Sequence, residues 1–190
     1  MPDCQLYITL PDLPDVDVSW IPATLADYPV AAVRIGTTDA GRASRLLAAL
    51  REDIQSRDIA LMLTDLPDLA RTQNCDGAEV AFDVMPTADA RRVLGTDRQL
   101  GVPCGESRDL AMQAGEDGAD YVSFQGQAET VAALVGWWAG VAELPVVAML
   151  DDAMAVHALC AAGADFIGLT LPETPEQARL LLDGISAALT

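Results

Sequence analysis

Three stretches of this chain nearly repeat one another: Cys75-Asp76-Gly77-Ala78-Glu79-Val80, Asp117-Gly118-Ala119-Asp120-Tyr121-Val122 and Ala162-Gly163-Ala164-Asp165-Phe166-Ile167. Each reads as a glycine that stops a helix, then a small residue, an acid and an apolar run. Glycine suits the stop because it takes the left-handed conformation without a Cβ clash, and the apolar run suits a strand buried on both faces. The glycines recur at about 40 to 45 residues, roughly two strand–helix units apart, the mark of a repeated supersecondary plan.

Around this repeat, strand-like runs alternate with segments of helical period. Strands are expected at Gln5–Thr9, Val30–Ile35, Ile59–Thr64, Ala78–Ala81, Gln99–Val102, Tyr121–Phe124, Val146–Met149 and Phe166–Leu169. A helical segment follows each. The clearest are Ala40–Ser56, Ser107–Glu116, Thr130–Ala142, Asp152–Ala162 and Pro175–Leu189, with short ones near Leu69 and Ala90. Thr87, Ser107 and Thr174 are candidate helix caps, the last followed by Pro175 in the first turn, where a missing N–H costs nothing. Eight such units without a composition break predict one domain over residues 1–190, a parallel eight-stranded (β/α)8 TIM barrel. An open doubly wound sheet is the competing architecture, but no G-x-G-x-x-G follows the first strand.

Composition narrows the chemistry. All 11 basic residues are arginine and the formal net charge is −18. Without lysine there is no Schiff base and no pyridoxal anchor. The acidity argues against a nucleic-acid partner, which needs basic surface. No apolar run approaches the ~18 residues of a membrane span, and the start of the chain lacks a basic, then apolar, leader, so a cytoplasmic protein is expected. Cys4, Cys75, Cys104 and Cys160 form no C-x-x-C pair and read as buried thiols, with Cys104 placed just past a strand end.

In a barrel, function sits at the C-terminal strand ends. The candidates there are Thr9, Arg34, Thr64-Asp65, Asp83, Cys104-Gly105-Glu106, Ser123 with Gln125, Asp151-Asp152 and Thr170. Arg34, Thr64, Ser123, Gln125 and Thr170 are candidate substrate contacts. Asp65, Asp83 and Asp151 are candidate ligands for Mg²⁺, a hard cation that prefers carboxylate oxygen. Asp65, Glu106 and Asp152 also suit helix starts, where acids complement the dipole. Arg34, closing a buried strand, needs an acid partner or a ligand, and Asp65 on the next strand is the expected partner. One tryptophan of the Trp137-Trp138 pair must face away from the barrel, which marks a candidate homo-oligomer contact.

Several phrases resemble the thiamine phosphate synthase family in order along nearly the whole chain. They are Leu6-Tyr7-Ile8-Thr9, Leu61-Met62-Leu63-Thr64-Asp65 with Asp68-Leu69-Ala70, Asp76-Gly77, Ala90-Arg91-Arg92-Val93-Leu94-Gly95, Gly101-Val102, Gly118-Ala119-Asp120-Tyr121 and Pro145-Val146-Val147-Ala148. The resemblance implies a transferase of thiamine biosynthesis that joins a pyrimidine pyrophosphate to a thiazole phosphate with Mg²⁺ and releases pyrophosphate. The family's reactive residues are largely replaced. Its Gln-x-Arg-x-Lys pattern reads Ala32, Arg34, Gly36; its Asn-Asp reads Thr64-Asp65; its Gly-Gln-x-Asp reads Ala81-Phe82-Asp83-Val84. Pro103 stands for a serine, nothing in Gln125-Gly126-Gln127-Ala128 matches the Thr-x-Thr-Lys clamp, and Leu150-Asp151 replaces paired glycines. A related branch needs a histidine at the mouth, whereas His157 is placed inside a helix. The expectation is a family barrel with lost or altered transfer activity. A non-catalytic barrel that binds a metabolite or protein, and a metal-assisted enzyme using the acidic mouth, are the alternatives.

Overall fold

The computed structural model describes residues 4–12, 17–150 and 153–189. Along them run β1 (Gln5–Leu10), α1 (Ile21–Leu25), β2 (Val30–Ile35), α2 (Ala40–Gln55), β3 (Ala60–Thr64), α3 (Pro67–Thr72), β4 (Gly77–Glu79) and α4 (Thr87–Leu94). The second half continues with β5 (Gln99–Gly105), α5 (Arg108–Glu116), β6 (Tyr121–Phe124), α6 (Ala128–Val141), β7 (Val146–Met149), a 3₁₀ turn (Ala153–Ala155), α7 (Val156–Ala162), β8 (Phe166–Thr170) and α8 (Pro175–Leu189). The strands pair in parallel in chain order, and β8 pairs with β1 to close the barrel. An open sheet is thereby excluded.

Alternation along each strand divides the apolar residues between two cores. Outward residues such as Leu6, Ile8, Val33, Leu61, Leu63, Val102, Val122 and Phe124 pack under the helices. Inward residues Tyr7, Ala32, Met62, Tyr121 and Val147 form a separate cluster in the lumen, with Ala60, Met149 and Phe166 against it. Large and small residues interlock there. A Cβ on Gly101 would stand 2.1 Å from the Tyr121 ring, and one on Gly168 2.2 Å from Met149 Sδ.

The repeat is real, but its first copy is shifted by three residues from the sequence expectation. Asn74 (φ 54), Gly118 (φ 96) and Gly163 (φ 107) take the left-handed position. The next N–H in each copy, of Cys75, Ala119 and Ala164, then donates to the carbonyl of Ala70, Ala114 and Leu159 respectively. The acid that follows is Asp76, Asp120 or Asp165, and its carboxylate accepts the N–H of Leu61, Leu100 or Val146 on the preceding strand, at 2.7 to 2.8 Å. Asparagine tolerates the left-handed conformation best after glycine, which is why it can open the first copy. Gly77 is therefore no helix stop. It lies inside β4, where a Cβ would come within 2.0 Å of the Gln99 carbonyl oxygen.

The caps divide. Ser107 Oγ accepts the Leu110 N–H at 3.1 Å and Thr174 Oγ1 the Gln177 N–H at 3.4 Å. Thr87 does not cap: Pro86 holds the cap position, and the Thr87 hydroxyl is buried inside the first turn without a partner. On α6, Trp138 is buried, packs edge-on to Phe124 at 6.4 Å and donates Nε1–H to the Leu144 carbonyl at 2.8 Å. Trp137 faces outward, half-buried, with the Arg108 guanidinium 4.9 Å from its ring centre. No helix among the described residues is long and apolar enough to cross a membrane.

Candidate functional site at the C-terminal mouth

Arg34, Thr64, Asp65, Glu79, Pro103, Gly105, Ser123, Gln125 and Met149 enclose a cavity of about 160 Å³ at the C-terminal end of the lumen. Strand parity explains the gathering. Arg34 on β2, Thr64 on β3 and Glu79 on β4 each lie two residues beyond an inward position of the lower lumen: Ala32, Met62 and Gly77. β5 bulges here, since Pro103 faces Ser123 while Gly105 faces Phe124. Proline, lacking an N–H, is tolerated at such an irregularity.

The central interaction is an ion pair between Arg34 Nη1 and Glu79 Oε1. Arg34 also donates from Nη2 to Thr9 Oγ1 at 3.1 Å, and its guanidinium lies 5.7 Å from the centre of the Tyr7 ring. The Glu79 side chain is 1% exposed and that of Arg34 14%. Two charges so little hydrated hold each other in place, and removal of either would strand the other. Arg34 Nε, Glu79 Oε2 and Thr64 Oγ1 are buried without a hydrogen-bond partner. The mouth thus presents hydrogen-bonding capacity while its cation is already neutralised.

The partner expected for Arg34 was Asp65; the structure gives that place to Glu79. Asp65 instead clips the ends of β3 and β4 together. Its N–H donates to the Glu79 carbonyl at 2.9 Å and its Oδ1 accepts the Ala81 N–H at 2.8 Å, with the backbone at φ 55. Glu79 is masked in the sequence because it falls where the apparent repeat places its acid. Asp76 fills that role, so a second acid with inward parity three residues later was the available signal.

Of the other candidates, Ser123 and Gln125 line the cavity together with Arg34, Thr64 and Asp65. Thr170 ends β8, exposed, and is not part of this lining. Asp83 lies exposed in the turn after β4. Glu106 is exposed and lies against Gly126, whose added Cβ would meet its Oε1 at 2.1 Å. Asp151 and Asp152 lie outside the described residues. Cys104 belongs to β5, which runs on to Gly105; its thiol is buried, and that burial pushes its pKa up to about 12. Such a thiol is a poor nucleophile or ligand. His157 is exposed on α7.

Among the described residues no group of three or more His, Cys, Asp or Glu side chains is arranged to hold a metal ion. Asp65 Oδ1 accepts a backbone N–H and Asp83 lies on an exposed turn, while a hard cation takes about six or more oxygen ligands.

Fold and mouth define a small (β/α)8 barrel of the kind whose C-terminal face carries its site. The family model described as thiamine monophosphate synthase matches residues 17–170, and the chain belongs to that family. It is 37% identical over 183 residues to the thiamine-phosphate synthase of Rhodospirillum centenum, covering 89% of this chain and 88% of that protein. It is 36% identical over 152 residues to the thiamine-phosphate synthase of Erythrobacter litoralis, covering 72% of this chain and 70% of the relative. In fold it is similar to a thiamine phosphate pyrophosphorylase from Pyrococcus furiosus, with a TM-score of 0.79 at 16% identity, covering 100% of this chain and 98% of the other.

Proposed function

We propose that this chain is a thiamine phosphate synthase-family barrel whose mouth no longer runs the pyrophosphate-releasing transfer and instead holds a small, uncharged or weakly cationic molecule. The observation that carries this reading is the buried Arg34–Glu79 pair. A pyrophosphate brings several negative charges, and its stabilisation needs preorganised cationic or N–H donors aimed at them. Here the arginine retained from the family pattern is neutralised by Glu79 two strands away, Asp65 adds negative charge to the cavity lining, and the whole chain carries a formal charge of −18.

The orphaned Glu79 Oε2 and Thr64 Oγ1, with Ser123 and Gln125, suit a ligand that donates N–H or O–H bonds. A cavity of about 160 Å³ favours a small ligand, since drug-sized ones occupy roughly 300 Å³ or more. Asp83 and Thr170 are further candidate ligand contacts and Asp151 remains a candidate from its place in the sequence; Trp137 is a candidate homo-oligomer contact that Trp137→Glu, compared with wild type by sedimentation, would disperse.

The test is pyrophosphate release by the purified protein given both family substrates and Mg²⁺, beside an active family member as control. The expected result is no turnover above background. Turnover that disappears in Arg34→Ala would overturn the proposal, because it would show the paired arginine still serving the parental reaction.

A further inference from the structure

The lumen holds a second cavity, at the opposite end of the barrel from the mouth. It measures about 220 Å³ and is lined by Tyr7, Met62, Tyr121, Val147 and Phe166 around the small residues Ala31, Ala32 and Ala60. Gln99, Asp120 and Pro145 also line it, at or just before the starts of β5, β6 and β7, so it opens at the N-terminal strand ends. Ordinary barrels fill this region with bulky branched side chains. Here three alanines leave it hollow.

Besides Gln99 and Asp120 at its opening, one polar pair interrupts the apolar wall. The hydroxyls of Tyr7 and Tyr121 lie 2.7 Å apart in a buried pair. Burial holds both phenols above their ordinary pKa, so both keep their protons. One hydroxyl donates to the other, which uses one proton of the two. The remaining O–H has no acceptor among the described hydrogen bonds. Leaving a buried donor unmade is costly, and the phenols that carry it form part of the cavity wall.

We infer that the N-terminal cavity is a binding site for a small uncharged aromatic molecule carrying one hydrogen-bond acceptor, its ring among Met62, Val147 and Phe166 and its acceptor on the spare hydroxyl of the Tyr7–Tyr121 pair. Charged ligands are disfavoured, since the Asp120 carboxylate at the opening is already paired with Arg91 and the wall beyond it is mostly apolar. An apolar cavity of ~150 Å³ is known to stay dry and take up benzene, so the size suits rings of this order. The site is independent of the reading given for the mouth, from which the tyrosine pair separates it.

The experiment is ligand-observed NMR and calorimetry with acetophenone and with cumene, which matches its shape but lacks the carbonyl. Acetophenone should bind about two- to tenfold tighter, the range expected for one neutral hydrogen bond. Tyr7→Phe or Tyr121→Phe alone should keep that preference, because the phenol left behind still has a proton to give. The double variant should lose the preference while still binding both rings. Ala60→Leu, which fills the cavity, should abolish binding of both, with circular dichroism checking the fold. Failure of both probes to bind at millimolar concentration, or a preference that survives in the double Phe variant, would overturn the inference. Should Ala60→Leu not fold, the Phe series decides alone.

Discussion

The two ends of one lumen have been built to opposite rules. At the C-terminal end the inward positions of β2, β3 and β4 are Arg34, Thr64 and Glu79, polar and partly unsatisfied. Two residues earlier on the same strands they are Ala32, Met62 and Gly77, apolar or without a side chain. A step of two residues, under 7 Å of strand, separates a charged cluster from an oily one. The difference teaches that the barrel wall is a scaffold whose ends are specified separately. The Tyr7–Tyr121 pair is the boundary, touched by the Arg34 guanidinium on one side and lining the apolar cavity on the other.

The harshest way to break this contrast is to remove one charge from the polar end. Glu79→Ala leaves the little-exposed Arg34 charge without its carboxylate partner and should cost about 3–5 kcal/mol in urea unfolding. The double variant Arg34→Met with Glu79→Leu extends the apolar rule to the mouth and should recover most of that loss, since apolar replacement of a whole buried pair is often neutral. If Glu79→Ala is harmless, the two residues are not coupled as described. At the oily end the expected effect is smaller. Gly101→Ala forces a methyl toward the Tyr121 ring and should cost about 1–3 kcal/mol by overpacking.

A spectroscopic comparison sharpens the boundary without any mutation. All three tyrosines are held above the ordinary phenol value: Tyr7 and Tyr121 by burial, and Tyr28, up to about 12, by the hydrogen bond it donates to the Asp183 carboxylate at 2.7 Å. A raised folded pKa contributes stability that is complete below the unfolded value of ~10 and is lost as pH climbs through the folded values. The folded protein should therefore show almost no tyrosinate absorbance near pH 10, where the urea-unfolded chain is half ionised. A full phenolate signal at that pH in the native state would contradict the burial described for the pair.

The outer shell was the legible part. Strand–helix alternation, the terminal glycines at 118 and 163, and the caps at Ser107 and Thr174 are local signals with local causes, and they fixed the barrel. The first repeat misled because Asn74 took the place of glycine and a lumen-facing Gly77 sat where a helix stop would look natural. The resulting three-residue error hid Glu79, and with it the partner of Arg34. Asp65 illustrates a second limit. A sequence can place an acid at a strand end, but whether its oxygen meets a guanidinium or the Ala81 N–H depends on a left-handed turn that sequence spacing does not reveal. The N-terminal cavity was illegible for another reason, since it arises from Ala31, Ala32 and Ala60 meeting across strands brought together only by closure.

The central claim is that the mouth's arginine is already neutralised and so holds no pyrophosphate. Titration calorimetry of pyrophosphate, with and without Mg²⁺, into wild type and Glu79→Gln tests it most directly. The account predicts no binding to wild type at millimolar pyrophosphate and measurable binding to Glu79→Gln, where the Arg34 charge is released. Micromolar binding by wild type that Glu79→Gln leaves unchanged would contradict it.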